Sequence, residues 1–529
     1  MTWGLPRSAG ALLVSAAALC AVAVLFGGGS RYAPLVWIGG AAVAAAAVGV
    51  TLVLLGRLPF PRLDGAGVAF VALSGWFVLW NGLSLVWSLQ PDRSWEYFNR
   101  GVVHFAFLLL GLLVAVVVPR SPRWVGGVLL VVFSAALAWA LLGKAIPSLG
   151  PDAERTARLR SPLDYWNALA LLAGMTIPLA LWAAGRREHR EAVRVASVVA
   201  VFGATVALLL TYSRGGVVVA LLAAAVYVLL TPRRLETVAA LVVGVVPAVL
   251  LSFWAFTRPA LVEAGQSEGD RVRDGLVFGG AALLLGAGVA YLAHLGITRD
   301  GRWQAQFRRV SPRVAGAVAA VVLVVGGLAV TRGDPVDWTR DSYREFTNPT
   351  TTAGGGPERL GDFGSNSRWT WWGEAWQIWE ANPVVGTGAG TFSLARRPIR
   401  ENTTVATEPH NLALQFLAET GLVGFLLATG AGVAAVLALR RTLGRLDEGD
   451  RVAAAALAVV VLAYLVHGLV DYDWDFIAVS APVFLALGVL VGAGRPAAEL
   501  ESEPFFAAGA AVLGVAVVLS LASPWLSSR

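Results

Sequence analysis

Three residues in this sequence have the chemistry to handle a phosphate-linked group: Arg214, Arg368 and His410. Arg214 stands in Thr211-Tyr212-Ser213-Arg214-Gly215-Gly216, a polar step with almost no loop between two apolar runs. A guanidinium held there can reach a phosphate presented by a lipid and bind its oxygens in pairs. The two glycines allow a backbone or ligand to come close; Ser213 is the adjoining candidate contact. The plainer reading is an Arg reaching to the headgroups from a tight turn. Arg368 opens a run holding Trp369, Trp371, Trp372, Trp376 and Trp379. Positions 369, 372, 376 and 379 share one helical face, which suits a helix lying at headgroup depth with Arg368 at the height of a lipid diphosphate. Its plain alternative is an interfacial anchor. His410 belongs to Pro409-His410-Asn411-Leu412-Ala413-Leu414-Gln415, where a polar stretch re-enters apolar sequence. An imidazole with a pKa of about 6.5 accepts a proton from a sugar hydroxyl at neutral pH. Asn411 or Gln415 is placed to orient the ring or the acceptor; a capping or surface His is the alternative.

Other groups carry weaker signals. Asp164-Tyr165-Trp166-Asn167 opens an apolar run, and Asn167, like Trp372, is a candidate sugar contact. Asp471, Asp473 and Asp475 follow His467 in a short turn and read as solvated loop carboxylates. Gly386-Thr387-Gly388-Ala389-Gly390 lacks the strand and βαβ setting of a dinucleotide fingerprint and reads as a turn allowing close packing. His104 and His294 receive no role. The lone Cys20 leaves no disulfide framework, and the five His form no His-x-x-x-His pair, so neither metal nor cofactor is expected.

These residues need a scaffold, and the composition names it. The chain is 57% hydrophobic and 14% charged over 529 residues, against about 25% charged in soluble domains. An all-α integral membrane protein follows, a polytopic bundle of about 12 to 15 transmembrane helices, given about 20 apolar residues per crossing. Candidate spans fall near 9–28, 33–56, 66–88, 101–118, 124–146, 163–185, 193–212, 215–231, 236–257, 275–297, 314–331, 412–439, 452–470, 477–494 and 505–524. The first is expected to be a retained helix, because a second follows after a short turn. Arginines set the orientation. With the N-terminus inside, the inner loops gather Arg186, Arg187, Arg190 and Arg194, then Arg233 and Arg234, a third set from Arg299 to Arg313, and Arg440, Arg441, Arg445 and Arg451. The longer loops near 147–162, 258–274 and 332–411 then all fall outside. The organisation is one continuous membrane domain: N-terminal helices 1–212, central helices 213–331, a large extracytoplasmic loop 332–411 with short interfacial helices, and C-terminal helices 412–529.

Three segments, in this order, resemble the O-antigen ligase family of bacterial membrane proteins: Ser213-Arg214-Gly215-Gly216; Arg368 with its Trp helix and Asn382-Pro383-Val384-Val385-Gly386-Thr387-Gly388; and His410 to Gln415 running into Glu419-Thr420-Gly421-Leu422-Val423-Gly424. The resemblance is best over residues 200–435. It implies a glycosyltransferase of the bacterial cytoplasmic (inner) membrane, facing outward. Such an enzyme moves a glycan from an undecaprenyl-diphosphate carrier to a glycan, lipid or protein acceptor hydroxyl, without nucleotide or metal. By that resemblance Arg214 and Arg368 bind the diphosphate and His410 acts on the acceptor; attack from the opposite face would invert the anomeric centre. A polysaccharide polymerase using the same donor is the alternative within the class. A flippase of lipid-linked sugars is the alternative outside it, disfavoured because the span interiors lack Asp, Glu, Lys and Arg apart from residues near their ends, such as Lys144 and Glu419, and the large loop has no counterpart in the other half.

Overall fold

The computed structural model describes residues 6–26, 32–149, 158–298, 334–348, 354–400, 404–495 and 497–498. Apolar runs become helices: α1 (Arg7–Phe26), α2 (Tyr32–Leu54), α3 (Gly65–Leu83), α4 (Pro91–Val117), α5 (Ser121–Ala145), α6 (Trp166–Gly185), α7 (Glu191–Leu210), α8 (Arg214–Leu230), α9 (Arg234–Phe256), the short α10 (Pro259–Val262) and α11 (Glu268–Thr298). The polar stretch holds α12 (Pro335–Thr347), α13 (Arg368–Ala381) and the one-turn α14 (Phe392–Ala395); α15 (Leu412–Arg445), α16 (Glu448–His467) and α17 (Ile477–Gly492) follow. Among the described residues the sole strand pairing joins Phe60–Pro61 to Ala497–Ala498. Among the described residues eleven helices are long and apolar enough to cross a membrane, and α8 and α17 are shorter apolar helices. These thirteen match thirteen of the expected spans; those at 314–331 and 505–524 lie outside the described residues. One boundary moves substantially: α4 starts at Pro91, ten residues before the apolar run, so Arg93, Glu96, Tyr97 and Arg100 lie on helix.

Helix α6 is the axis of one half of the bundle, packed by α5, α7, α8 and α16. Its side chains from Asn167 to Ala184 are all buried. In the other half α4 and α17 approach so closely that a Cβ on Gly111 would meet the Leu485 carbonyl, and one on Gly488 the Leu108 carbonyl. Small residues at such crossings let backbones touch where lipid supplies no hydrophobic drive. One end of the bundle is clasped by ion pairs, Arg123 to Asp447 at 2.9 Å and Asp64 to Arg495 at 2.9 Å. The opposite end holds the starts of α4, α6, α8 and α15 and the ends of α7 and α16.

Helix α15 is broken at Gly421, whose φ of 65° and ψ of −170° are outside helical values. The break leaves carbonyls and N–H groups without intrahelical partners, and the glycine-rich loop supplies them. Thr387 and Gly388 donate to the carbonyls of Ala418 (3.2 Å) and Glu419 (2.9 Å), while the N–H of Leu422 reaches Pro383 O at 2.8 Å. Trp80 Nε1 donates to Thr420 O at 2.9 Å. The Glu419 carboxylate accepts from the backbones of Gly390 (2.8 Å) and Phe392 (3.1 Å). The loop thus packs directly on the helix break, with Gly386 at φ 68° against the backbone of Glu419. Only glycine occupies the Gly421 conformation at low cost, and a Cβ there would also strike the Val384 carbonyl. Gly421→Ala is therefore expected to destabilise the fold by about 3 kcal/mol. Thermal unfolding in detergent checks it; an unchanged midpoint would refute the interlock.

Candidate functional site

At the end opposite the clasps, Arg368, His410 and Asp471 converge from three separated segments. Asp471 lies in the turn after α16 and is 1% exposed. Its carboxylate receives Tyr165 Oη at 2.9 Å, the Tyr472 backbone N–H at 2.9 Å, Arg368 Nη2 at 3.2 Å and an Asn167 amide hydrogen bond. His410 Nδ1 stands 3.2 Å from its Oδ1. Asp471, Asp473 and Asp475 are thus not solvated, as the short acidic turn suggested: all three are buried, at 2% exposure or less. The turn is folded under Tyr165 and the loop carrying His410, so its charges meet Arg and His in place of water.

Helix ends do the positioning. α13 begins directly at Arg368, after Asn366 and Ser367 at φ 59° and 69°. Its buried face is Trp371, Ala375 and Ile378, packed with Phe392, Ala406 and Ala418. Trp371 stacks on the His410 ring at 5.0 Å, and Tyr472 meets that ring edge-on at 4.5 Å. The opposite face carries the Trp stripe: Trp369 and Trp376 are exposed, and Trp372 packs on Phe346 of α12 at 5.8 Å. Six non-glycine residues among those described have positive φ; five of them (Asp164, Tyr212, Asn366, Ser367, His410) flank this site. Backbone strain of this kind concentrates at functional sites.

The named candidates separate into two groups. Asn167, Arg368 and His410 come together on Asp471. Ser213 and Asn411 are helix caps: Ser213 Oγ accepts from Gly216 N at 3.2 Å, and Asn411 Oδ1 from Leu414 N at 3.0 Å. Asn411 also ties the start of α15 to Leu469 O at 2.9 Å. Arg214, first residue of α8, donates to the backbone carbonyls of Asp362 and, at 2.7 Å, Gly364; the Asp362 carboxylate is 3.7 Å away.

Two arginines that sequence reasoning passed over complete the charge pattern. Arg158 packs its guanidinium 4.2 Å from the centre of the Trp166 ring and donates to Thr211 O at 2.9 Å, leaving Nη2 without a hydrogen-bond partner. Burial and the nearby Arg359 charge lower its pKa to about 9. Arg359 is lowered to about 10, by burial and then by Arg214 and Arg368. Four guanidinium groups thus feel one another around a partly buried space, a field that favours a polyanion. The available signal was proximity in sequence: Arg158 precedes the aromatic opening of α6, and Arg359 precedes α13 by nine residues.

Burial pushes the His410 imidazole down and Asp471 pushes back, leaving it below the ordinary His value. Burial would raise Asp471, but the bond to His410 and the Arg368 charge hold it well below the usual carboxylate range. The pair is therefore a neutral imidazole on an ionised carboxylate. With Nδ1–H donated to Asp471, Nε2 keeps its lone pair, the arrangement of an oriented general base.

A bundle of apolar helices with a polar, strained site gathered at one end defines an all-α, multi-pass membrane protein. A family model described as O-antigen ligase matches residues 276–429, from α11 into α15. That match supports a function of the ligase or polymerase type. No curated protein matches the chain.

Proposed function

We propose that this protein transfers a glycan from an undecaprenyl-diphosphate carrier to an acceptor hydroxyl at the outer face of the bacterial cytoplasmic membrane. The observation that carries this reading is the meeting of four arginines with the Asp471–His410 pair at one end of the bundle. Breaking a sugar–phosphate bond leaves a diphosphate, and Arg158, Arg214, Arg359 and Arg368 supply cationic donors for the charge that develops. His410 Nε2 takes the proton of the attacking hydroxyl, and Asp471 stabilises the imidazolium that forms. Asn167 acts by holding Asp471, and Ser213 and Asn411 by fixing the helix starts that carry Arg214 and follow His410. Attack opposite the leaving diphosphate inverts the anomeric carbon.

Arg368→Lys tests the reading. An ammonium cannot bond Val470 O and Asp471 from one planar group, as Arg368 does at 2.9 and 3.2 Å, while also facing a diphosphate. Transfer should fall roughly 100-fold. Mass spectrometry of polyprenyl-linked glycans in the native host reads the outcome. Accumulated full-length chains identify a ligase and accumulated single repeat units a polymerase; an unchanged pool with normal protein level overturns the reading. The sidedness has its own check. Val405, beside the site, is 82% exposed, and Cys20 is buried. Val405→Cys should react with an impermeant thiol reagent added outside the cell; labelling only from the cytoplasm would reverse the orientation.

A further inference from the structure

Beneath His410 the bundle opens. At their outer ends α15 and α16 are tied together, with Leu412 N donating to Gly468 O at 2.7 Å. Below that tie they diverge, and an apolar cavity of about 180 Å³ lies between them, backed by α3, α4 and α17. Leu412, Phe416 and Trp474 close its upper end, two residues along the chain from His410 in the case of Leu412. Gly432 and Val436 on α15 and Leu465 on α16 border its membrane side, and all three are exposed. Two polar side chains in the lining have unmet groups. His104, 1% exposed, bonds Ser480 Oγ through Nε2 at 2.8 Å, and its Nδ1 has no partner. The Tyr464 hydroxyl, on a residue 2% exposed, has none either. Buried polar groups in a protein are normally paired, so these two mark where a ligand's polar atom belongs.

The charges above the cavity differ from those of the arginine site. The Arg214 site adjoins α6 and α8, which do not line the cavity. Above the cavity stands a network of Glu96, Glu408, Glu419 and Asp475 with Arg93 and Arg100, joined through Tyr97 and Gln415. Both arginines there are already engaged by acids, Arg93 by Glu96 and Glu408 and Arg100 by Glu96 and Asp475, which leaves no cationic donor for a phosphorylated head group.

We infer, resting on the transferase reading above, that this cleft binds the acceptor, and that the acceptor is an acyl lipid with an uncharged glycosyl head. The acyl chain lies between α15 and α16. A carbonyl of its linkage accepts from the Tyr464 hydroxyl, a bond that an all-hydrocarbon polyprenyl chain cannot make. The head group then stands at the apex beside His410.

Purified full-length protein in detergent can be titrated with three probes: a monoglucosyl dioleoylglycerol, dioleoylphosphatidylglycerol and a polyprenyl diphosphate. The glucosyl lipid should bind at least about tenfold more tightly than the phospholipid. Tyr464→Phe should weaken glucosyl-lipid binding roughly fivefold. Gly432→Trp, at a position where an added Cβ meets nothing within 4 Å, should weaken it about tenfold or more by filling the mouth. Both variants should bind the polyprenyl diphosphate as the wild type does. Wild-type affinity for the glucosyl lipid in Gly432→Trp, or equal binding of the phospholipid, overturns the inference. Loss of the diphosphate lipid in these variants also overturns it, by making the cleft the donor's. The transferase reading fails separately, if Arg368→Ala leaves polyprenyl diphosphate binding unchanged.

Discussion

Asp471→Asn should reduce glycan transfer by roughly 10³-fold or more while leaving the diphosphate-linked donor bound at least as tightly. The first half follows from what the carboxylate holds. Tyr165, Asn167, Arg368, His410 and the Tyr472 backbone all direct donors at it. An amide has one acceptor oxygen, and its NH₂ would face groups that themselves donate. His410 would lose the partner that fixes its tautomer, and Nε2 would no longer be the defined base. The second half follows from charge. Asp471 neutralises Arg368 across 3.2 Å; removing that anion leaves the guanidinium more available to a diphosphate. Separate measurements of single-turnover transfer and of polyprenyl diphosphate affinity read the two halves. Normal turnover would remove Asp471 from the chemistry, and a parallel loss of affinity would make it a structural support of the donor site.

His410→Ala should cost a further class of activity, roughly 10² to 10⁴-fold in transfer, with donor binding retained. The pH profile carries the sharper test. The neutral ring is the base, and burial sets its pKa below the ordinary value, with Asp471 raising it and Arg368 lowering it. Activity therefore persists as pH falls from neutrality and is lost through an acid limb below about 6.5. In Asp471→Asn the raising charge is gone, so the limb of the residual activity moves further toward acid. In Arg368→Gln the lowering charge is gone, so it moves toward neutrality. Limbs that do not move in opposite directions would show that another group controls the profile.

Much of the fold was legible because its cause is local. A helix crossing a membrane must be apolar along some twenty residues, and the thirteen expected spans within the described residues are helical close to the expected limits. The end of α13 was equally local, set by Asn382-Pro383. The start of α4 was not: its first ten residues are mostly polar, and they stay helical because Arg93, Tyr97 and Arg100 find partners on Glu408 and Asp475, more than 300 positions away.

The site divides along the same line. Arg214, Arg368 and His410 stood out by residue type beside glycine, tryptophan and a helix start, and the sequence by itself determined that each would lie at or just before a helix start. Only the tertiary structure decided what they face. An acidic turn such as Asp471-Tyr472-Asp473-Trp474-Asp475 has the composition of a solvated loop, and nothing within it records that Tyr165 and His410 will cover it. Arg158 and Arg359 likewise look like ordinary loop arginines until α6, α8 and α13 bring their charges together. Hydrophobic burial acts along each segment and is written in its composition; a charge acts across whatever gap the packing of distant helices leaves, and that gap exists only once the chain has folded.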